Sequence, residues 1–197
     1  MNVALNNMWV NVGAQQFHLP TGDPQVLRGR TALVVRDLAA LKERLSAVQD
    51  QLKGTKFTWS DEGEYLGVTC PWGNHYHCYG PGKFGAMNLG IPYVEFNVPA
   101  GSAASIQRFY QEVMGAPGRL EKNGKGTAAH IDIGSTQKLV FREGKQLSEY
   151  DGHHVAIYVA NFSGPLRWLE ERNLVSEGIR NHQFRFQEIV DPDNGKP

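Results

Sequence analysis

The sequence has little with which to staple itself. Cys70 and Cys78 are the only cysteines among 197 residues, and a chain of this length can build a core without a disulfide. Two free thiols in the cytoplasm, or in another reducing and soluble compartment, are the expectation. Long apolar runs are missing too. The longest, "TALVV" and "VAIYV", fall far short of the roughly 20 residues of a membrane span, and no basic-then-apolar pattern marks the N-terminus. Charge of one sign is absent: 20 Lys and Arg balance 20 Asp and Glu, so no net field draws nucleic acid or an anionic membrane. No phosphate loop, dinucleotide fingerprint, nucleophile elbow or HExxH motif occurs. With 41% hydrophobic residues, enough remains for a globular protein whose default partner is a small molecule.

What is present repeats. "GAQQFHL" from Gly13 resembles "GSTQKLV" from Gly134, and "CPWGN" from Cys70 resembles "DPDNG" from Asp191, each pair 121 positions apart. "RTALVVRDLAALKERL" from Arg30 resembles "HVAIYVANFSGPLRWLEERNL" from His154 at a spacing of 124. Three motifs in one order at nearly one spacing read as an internal duplication.

Each copy alternates strand and helix. "TALVV" and "VAIYV" read as short buried strands. Asp37 opens a helix whose Leu38, Leu41, Leu45, Val48 and Leu52 form one stripe. The aromatic segment "FTW", a polar loop "SDEGE", the strand "YLGVT", a Pro/Gly turn and the strand "HYHCY" follow. "IPYVEFNV", a helix carrying Ile106, Phe109, Tyr110, Val113 and Met114, then "AAHIDIG" and "KLVFRE", repeat the order, and Pro165, Leu166 and Leu169 mark a third helix. The glycines of "GPGKFGAMNLG" make it the best boundary, giving an N-terminal domain over 1–80 and a C-terminal domain over 88–197.

Carried by "QFHLP", "ALVVRDLAALKERL", "CPWGN", "VEFNV", "RFYQEVMG", "HHVAIYV" and "DPDNG", this pattern resembles the vicinal oxygen chelate superfamily of glyoxalase I, extradiol dioxygenases and bleomycin or fosfomycin resistance proteins. The resemblance implies an α+β fold in which repeated βαβββ units pair into half-open barrels, with up to one ligand from the first and one from the last strand of each unit. Carried over residue by residue, the last-strand positions fall on His18, His77 and Val140, and the first-strand positions on Arg30 or Thr31, Tyr93 and His154. The final position falls at 198, and the opening strand and helix of the first unit are missing, so both ends read as cut inside a repeat. Exposed barrel edges there call for a homo-oligomer or a larger assembly.

His18, His77 and His154 are thus the candidate metal ligands, for a divalent ion such as Zn, Fe, Ni, Co or Mn, with no cofactor as the alternative. His75 shares a strand face with His77. Glu95, on the face of Tyr93 and Asn97, is a candidate base, and Tyr93 a candidate hydrogen-bond donor. Arg142 and Lys138 share a face suited to an anionic group. His130 and Asp132 alternate on "AHIDIG" as a candidate hydrogen-bonded pair. The adjacent His153 and His154 face opposite sides, with His154 inward. Two functions follow from the resemblance: a metal-dependent lyase, isomerase or dioxygenase acting on a small oxygenated substrate, or a catalytically silent module that binds a small molecule or serves an assembly.

Overall fold

The leucine stripe after Asp37 forms the helix its spacing predicts. In the computed structural model α1 spans Leu38–Val48, and the Asp37 carboxylate accepts from the Ala40 N–H at 2.9 Å, supplying a partner to one of the amides a helix start leaves open. The structure describes residues 2–4, 7–124, 126–145 and 147–197. They divide into unit 1, Met1–Phe96 with Ser148–His154, and unit 2, Asn97–Leu147 with Val155–Pro197.

Unit 1 begins with a three-stranded antiparallel sheet, β1 (Asn2–Ala4), β2 (Asn7–Val12) and β3 (Gln15–Pro20), in that order. β2 alternates weakly in polarity, and its pairing with β3 is what makes it a strand. The chain then runs through β4 (Gly29–Val34), α1, β5 (Thr58–Asp61), β6 (Leu66–Thr69) and β7 (His75–Tyr79). These strands lie in the order β5-β6-β7-β4, and the parallel pair β4 and β7 is made possible by the helical crossover between them. Ser60 and Asp61, read as the start of a loop, continue β5 from the aromatic segment before them, paired antiparallel to β6.

β8 (Tyr93–Pro99) runs antiparallel to β4, with Arg30 directly opposite Glu95. Gly29 permits this register: a Cβ there would stand 1.8 Å from the Glu95 carbonyl oxygen, and its φ is +155°. One face of these strands carries Arg30, Ala32 and Val34 with His77, Tyr79, Tyr93 and Glu95. The opposite face carries Leu33, Tyr76 and Cys78 toward α1, and Leu45, Leu66 and Cys78 form the core there.

Unit 2 has the order β11-β10-β9, with β9 at Gly118–Asn123, β10 at Gly126–Asp132 and β11 at Lys138–Gly144. Between β8 and β9 lies α2 (Ala103–Glu112). Its Ile106, Phe109 and Tyr110 are buried as the spacing predicts, and Tyr110 packs on Phe141 at 5.3 Å between ring centres. α3 (Ser163–Glu170) buries Pro165, Leu166 and Leu169, and a hairpin of β12 (Val175–Arg180) and β13 (Gln183–Phe186) follows. The predicted strand "HVAIYV" does not form. Residues 154–159 pair with no strand, Val155 is exposed and Tyr158 fully so; β-branched composition is no substitute for a neighbour that satisfies the backbone.

The "DPDNG" turn is fastened to α2. The Asp191 carboxylate accepts from the Ser105 hydroxyl at 2.6 Å and the Asp193 N–H at 2.9 Å, and pairs with Arg108. The Ser105 bond foremost, then the Asp193 amide, hold this carboxyl below its usual range. A depressed folded-state value contributes stability above the unfolded value, lost as pH falls through the folded one. Thermal unfolding between about pH 6 and about pH 2 is therefore expected to show a decline, beginning near the ordinary carboxylate value of about 3.9, that is shallower in Asp191→Asn than in the wild type. Equal slopes in the two proteins would remove Asp191 as a source.

Candidate functional site

β4, β7 and β8 bring Arg30, His77, Tyr93 and Glu95 together on one face of unit 1. Arg30 Nε lies 2.9 Å from Glu95 Oε1, and Arg30 Nη1 lies 3.0 Å from His77 Nε2. The Tyr93 hydroxyl is 3.4 Å from His77 Nδ1 and 3.2 Å from the Tyr79 hydroxyl. Tyr65 stacks on the imidazole of His77 at 4.1 Å, and Phe84 meets Tyr79 edge-on at 5.0 Å. The result is a polar chain, Glu95 to Arg30 to His77 to Tyr93 to Tyr79, set against aromatic rings.

Hydrogen-bond chemistry fixes the protons along it. A guanidinium only donates, so His77 Nε2 accepts with its lone pair, the ring is neutral, and the proton sits on Nδ1. Nδ1–H then donates to the Tyr93 oxygen. Burial, and after it the bond with Tyr79, pushes the Tyr93 phenol far above its ordinary value, so it stays protonated. Two hydroxyl protons serve the single Tyr93–Tyr79 contact, so whichever hydroxyl donates across it, the other keeps an O–H for an incoming acceptor. Arg30 Nη1 donates to His77, while Nε is ion-paired with Glu95 without making a hydrogen bond; Nη2 makes no hydrogen bond among the described residues. The guanidinium is about a third exposed, at 36%, while Glu95 is 8% exposed.

The other histidine candidates lie elsewhere. His18 stacks on Trp9 at 4.2 Å and bonds the Asn7 side chain at 3.0 Å, within the β1-β2-β3 sheet. Its neighbour Phe17 packs edge-on to Tyr76, the residue on the opposite side of β7 from His77. His154 is exposed, with Nδ1 on the Gly152 carbonyl at 3.1 Å, and so is not the inward residue of a strand. His153 bonds Asp151 at 2.8 Å and lies over Phe96. His75 shares its strand face with His77 as expected, but is exposed and bonds Thr69 at 3.1 Å.

Two readings in unit 2 are corrected. His130 faces Glu121 at 3.4 Å, and Asp132 pairs with Lys138, because cross-strand neighbours stand closer than residues two apart on one strand. Lys138 is thereby committed to a carboxylate and no longer pairs its charge with Arg142 for an anion.

A divalent ion fits this arrangement poorly. Among the described residues no three His, Cys, Asp or Glu side chains converge as a metal-holding group. The two donors that share the inner face, His77 and Glu95, are bridged by a permanent cation on Arg30. Sequence reasoning gave Arg30 a ligand position and passed over it as a non-ligand; the signal that a basic side chain stood there was legible, its partners were not.

β4-α1-β5-β6-β7 and β8-α2-β9-β10-β11 each run in the βαβββ order that the sequence resemblance implies. Among solved structures the chain is similar to a mutant glyoxalase I from Zea mays, at 17% identity and a TM-score of 0.44, covering 69% of this chain and 51% of that one. It is similar to a homoprotocatechuate 2,3-dioxygenase variant from Brevibacterium fuscum, at 18% identity and a TM-score of 0.42, covering 64% of this chain and 35% of that one. A catechol 2,3-dioxygenase matches at 12% identity and a TM-score of 0.45, covering 83% and 62%. The chain thus spans from about a third to under two thirds of the length of these structures. No family model matches the chain, and no curated protein matches it either. Among the described residues no helix is long and apolar enough to cross a membrane.

Proposed function

We propose that unit 1 is a small-molecule-binding module of the glyoxalase/dioxygenase type, in which the Arg30 guanidinium takes the place that the family resemblance gives to a divalent ion. The observation that carries this reading is the guanidinium bridge between His77 and Glu95, with Nη2 left over. Nη2 and the spare Tyr79 or Tyr93 hydroxyl are preorganised donors for the oxygens of a small ligand. Tyr65 and Phe84 supply apolar ring faces beside them. A small aromatic carboxylate is the class that matches a planar cation, a phenol donor and ring walls.

The metal-dependent lyase, isomerase or dioxygenase is a second reading, favoured by the placement of His77, Tyr93 and Glu95 on one face. It requires Arg30 to release both donors, and Glu95 to serve as a base while paired to a cation.

Calorimetric titration with benzoate and 2-hydroxybenzoate separates the two. Binding in metal-free buffer, weakened at least about tenfold by Arg30→Met as befits the loss of a charge-assisted bond of roughly 1.5–3 kcal/mol, is the expected result. Binding that appears only after a divalent ion is added supports the second reading and ends the first.

A further inference from the structure

On the opposite side of the unit 1 strands, beneath α1, lies a cavity of about 340 Å³. Phe17, Leu41, Leu45, Phe57, Cys70 and Tyr76 are among the residues that line it, drawn from β3, α1, the segment before β5, the "CPWGN" turn and β7. From this cavity we infer a second ligand site in unit 1, for a compact apolar molecule of about a dozen non-hydrogen atoms carrying one hydrogen-bond acceptor. It does not rest on the reading of the inner face, since its walls belong to the other face of the strands.

Three observations point the same way. A cleft of this size under a helix, open to solvent on one side, is within the range of small-molecule sites. Its walls are apolar side chains that offer a water molecule few partners, so an apolar occupant suits it better than water. Tyr76 supplies the polar element: its hydroxyl has no hydrogen-bond partner among the described residues, and burial, ahead of the nearby Cys70 and Cys78, pushes the phenol up to about 12. It is a protonated donor in apolar surroundings, the setting in which one acceptor on a ligand confers orientation.

The thiols add walls rather than chemistry. Burial pushes Cys78 up to about 11, away from the thiolate that a nucleophile needs. The strand register also separates the pair, because Thr69, next to Cys70, lies opposite His75 while Cys78 lies opposite Leu66, three residues before Thr69 on β6. A disulfide across the cavity is ruled out by that spacing.

The test uses 2-acetylnaphthalene, an apolar body with one acceptor, and 2-ethylnaphthalene, the same shape without it, titrated into the full chain with binding read by fluorescence and by the shift in thermal midpoint. One saturable site that favours the acetyl compound is expected. Tyr76→Phe is expected to cut that preference about fivefold, the usual worth of one neutral hydrogen bond, and leave the ethyl compound unaffected. Leu41→Trp, which fills the space, is expected to weaken both at least tenfold; should it fail to fold, Cys70→Trp at the turn replaces it. Non-saturable binding, binding indifferent to both tryptophan variants, or sedimentation showing that the cavity wall is buried between two copies would each overturn the inference.

Discussion

Arg30→Ala is expected to lower the stability of the protein by about 2 kcal/mol in chemical denaturation. Breaking a buried ion pair by removing one partner ordinarily costs about 3–5 kcal/mol; Arg30 is about a third exposed, so water screens part of the loss. The cost arises because the Glu95 carboxylate is buried and loses the cation beside it. His77 loses the donor to Nε2 at the same time. Adding Glu95→Gln to Arg30→Ala is expected to recover at least half the loss, since a neutral amide tolerates the same burial. Arg30→Lys is expected to recover less, because an ammonium does not present the flat fork that reaches Glu95 and His77 together. If Arg30→Ala is as stable as the wild type, the bridge is an exposed contact and contributes nothing measurable.

Phe109→Ala is expected to cost more, about 4 kcal/mol, within the range for truncating a fully buried phenylalanine. The ring is 0% exposed and meets Tyr110 at 5.5 Å, Trp168 at 5.8 Å and Phe186 at 5.7 Å. It therefore joins α2 to α3 and β13, and its removal leaves a cavity where three elements of unit 2 meet. Phe109→Leu is expected to cost less than half as much, because most of the volume is kept. Equal losses for the two variants would mean that ring packing, more than volume, holds these elements together.

The elements that depend on local chemistry were legible in the sequence. Asp37 and the leucines after it specify α1 without help from other strands, and alternation places His75 and His77 on one face. Tyr93 and Glu95 share a face for the same reason. The bridge between Arg30 and Glu95 was not legible. It requires β4 to lie beside β8 in one register, and the determinant of that register, the close approach of Gly29 to the Glu95 carbonyl, is a tertiary contact between residues far apart in the chain. "HVAIYV" shows the converse: composition favoured a strand, but residues 154–159 find no strand to pair with. His18 was matched to His77 by position in a repeat, whereas its side chain is fixed by Trp9 and Asn7 on the strand beside it.

The Arg30 guanidinium holds the two inner-face donors that a metal would need. Equilibrium dialysis of the full chain against Zn, Fe, Ni, Co and Mn, followed by elemental analysis, measures this most directly. The expected result is retention near background for every ion, unchanged in His77→Ala. One ion retained per chain in the wild type, and lost in both His77→Ala and Glu95→Ala, would contradict it and return the inner face to metal chemistry.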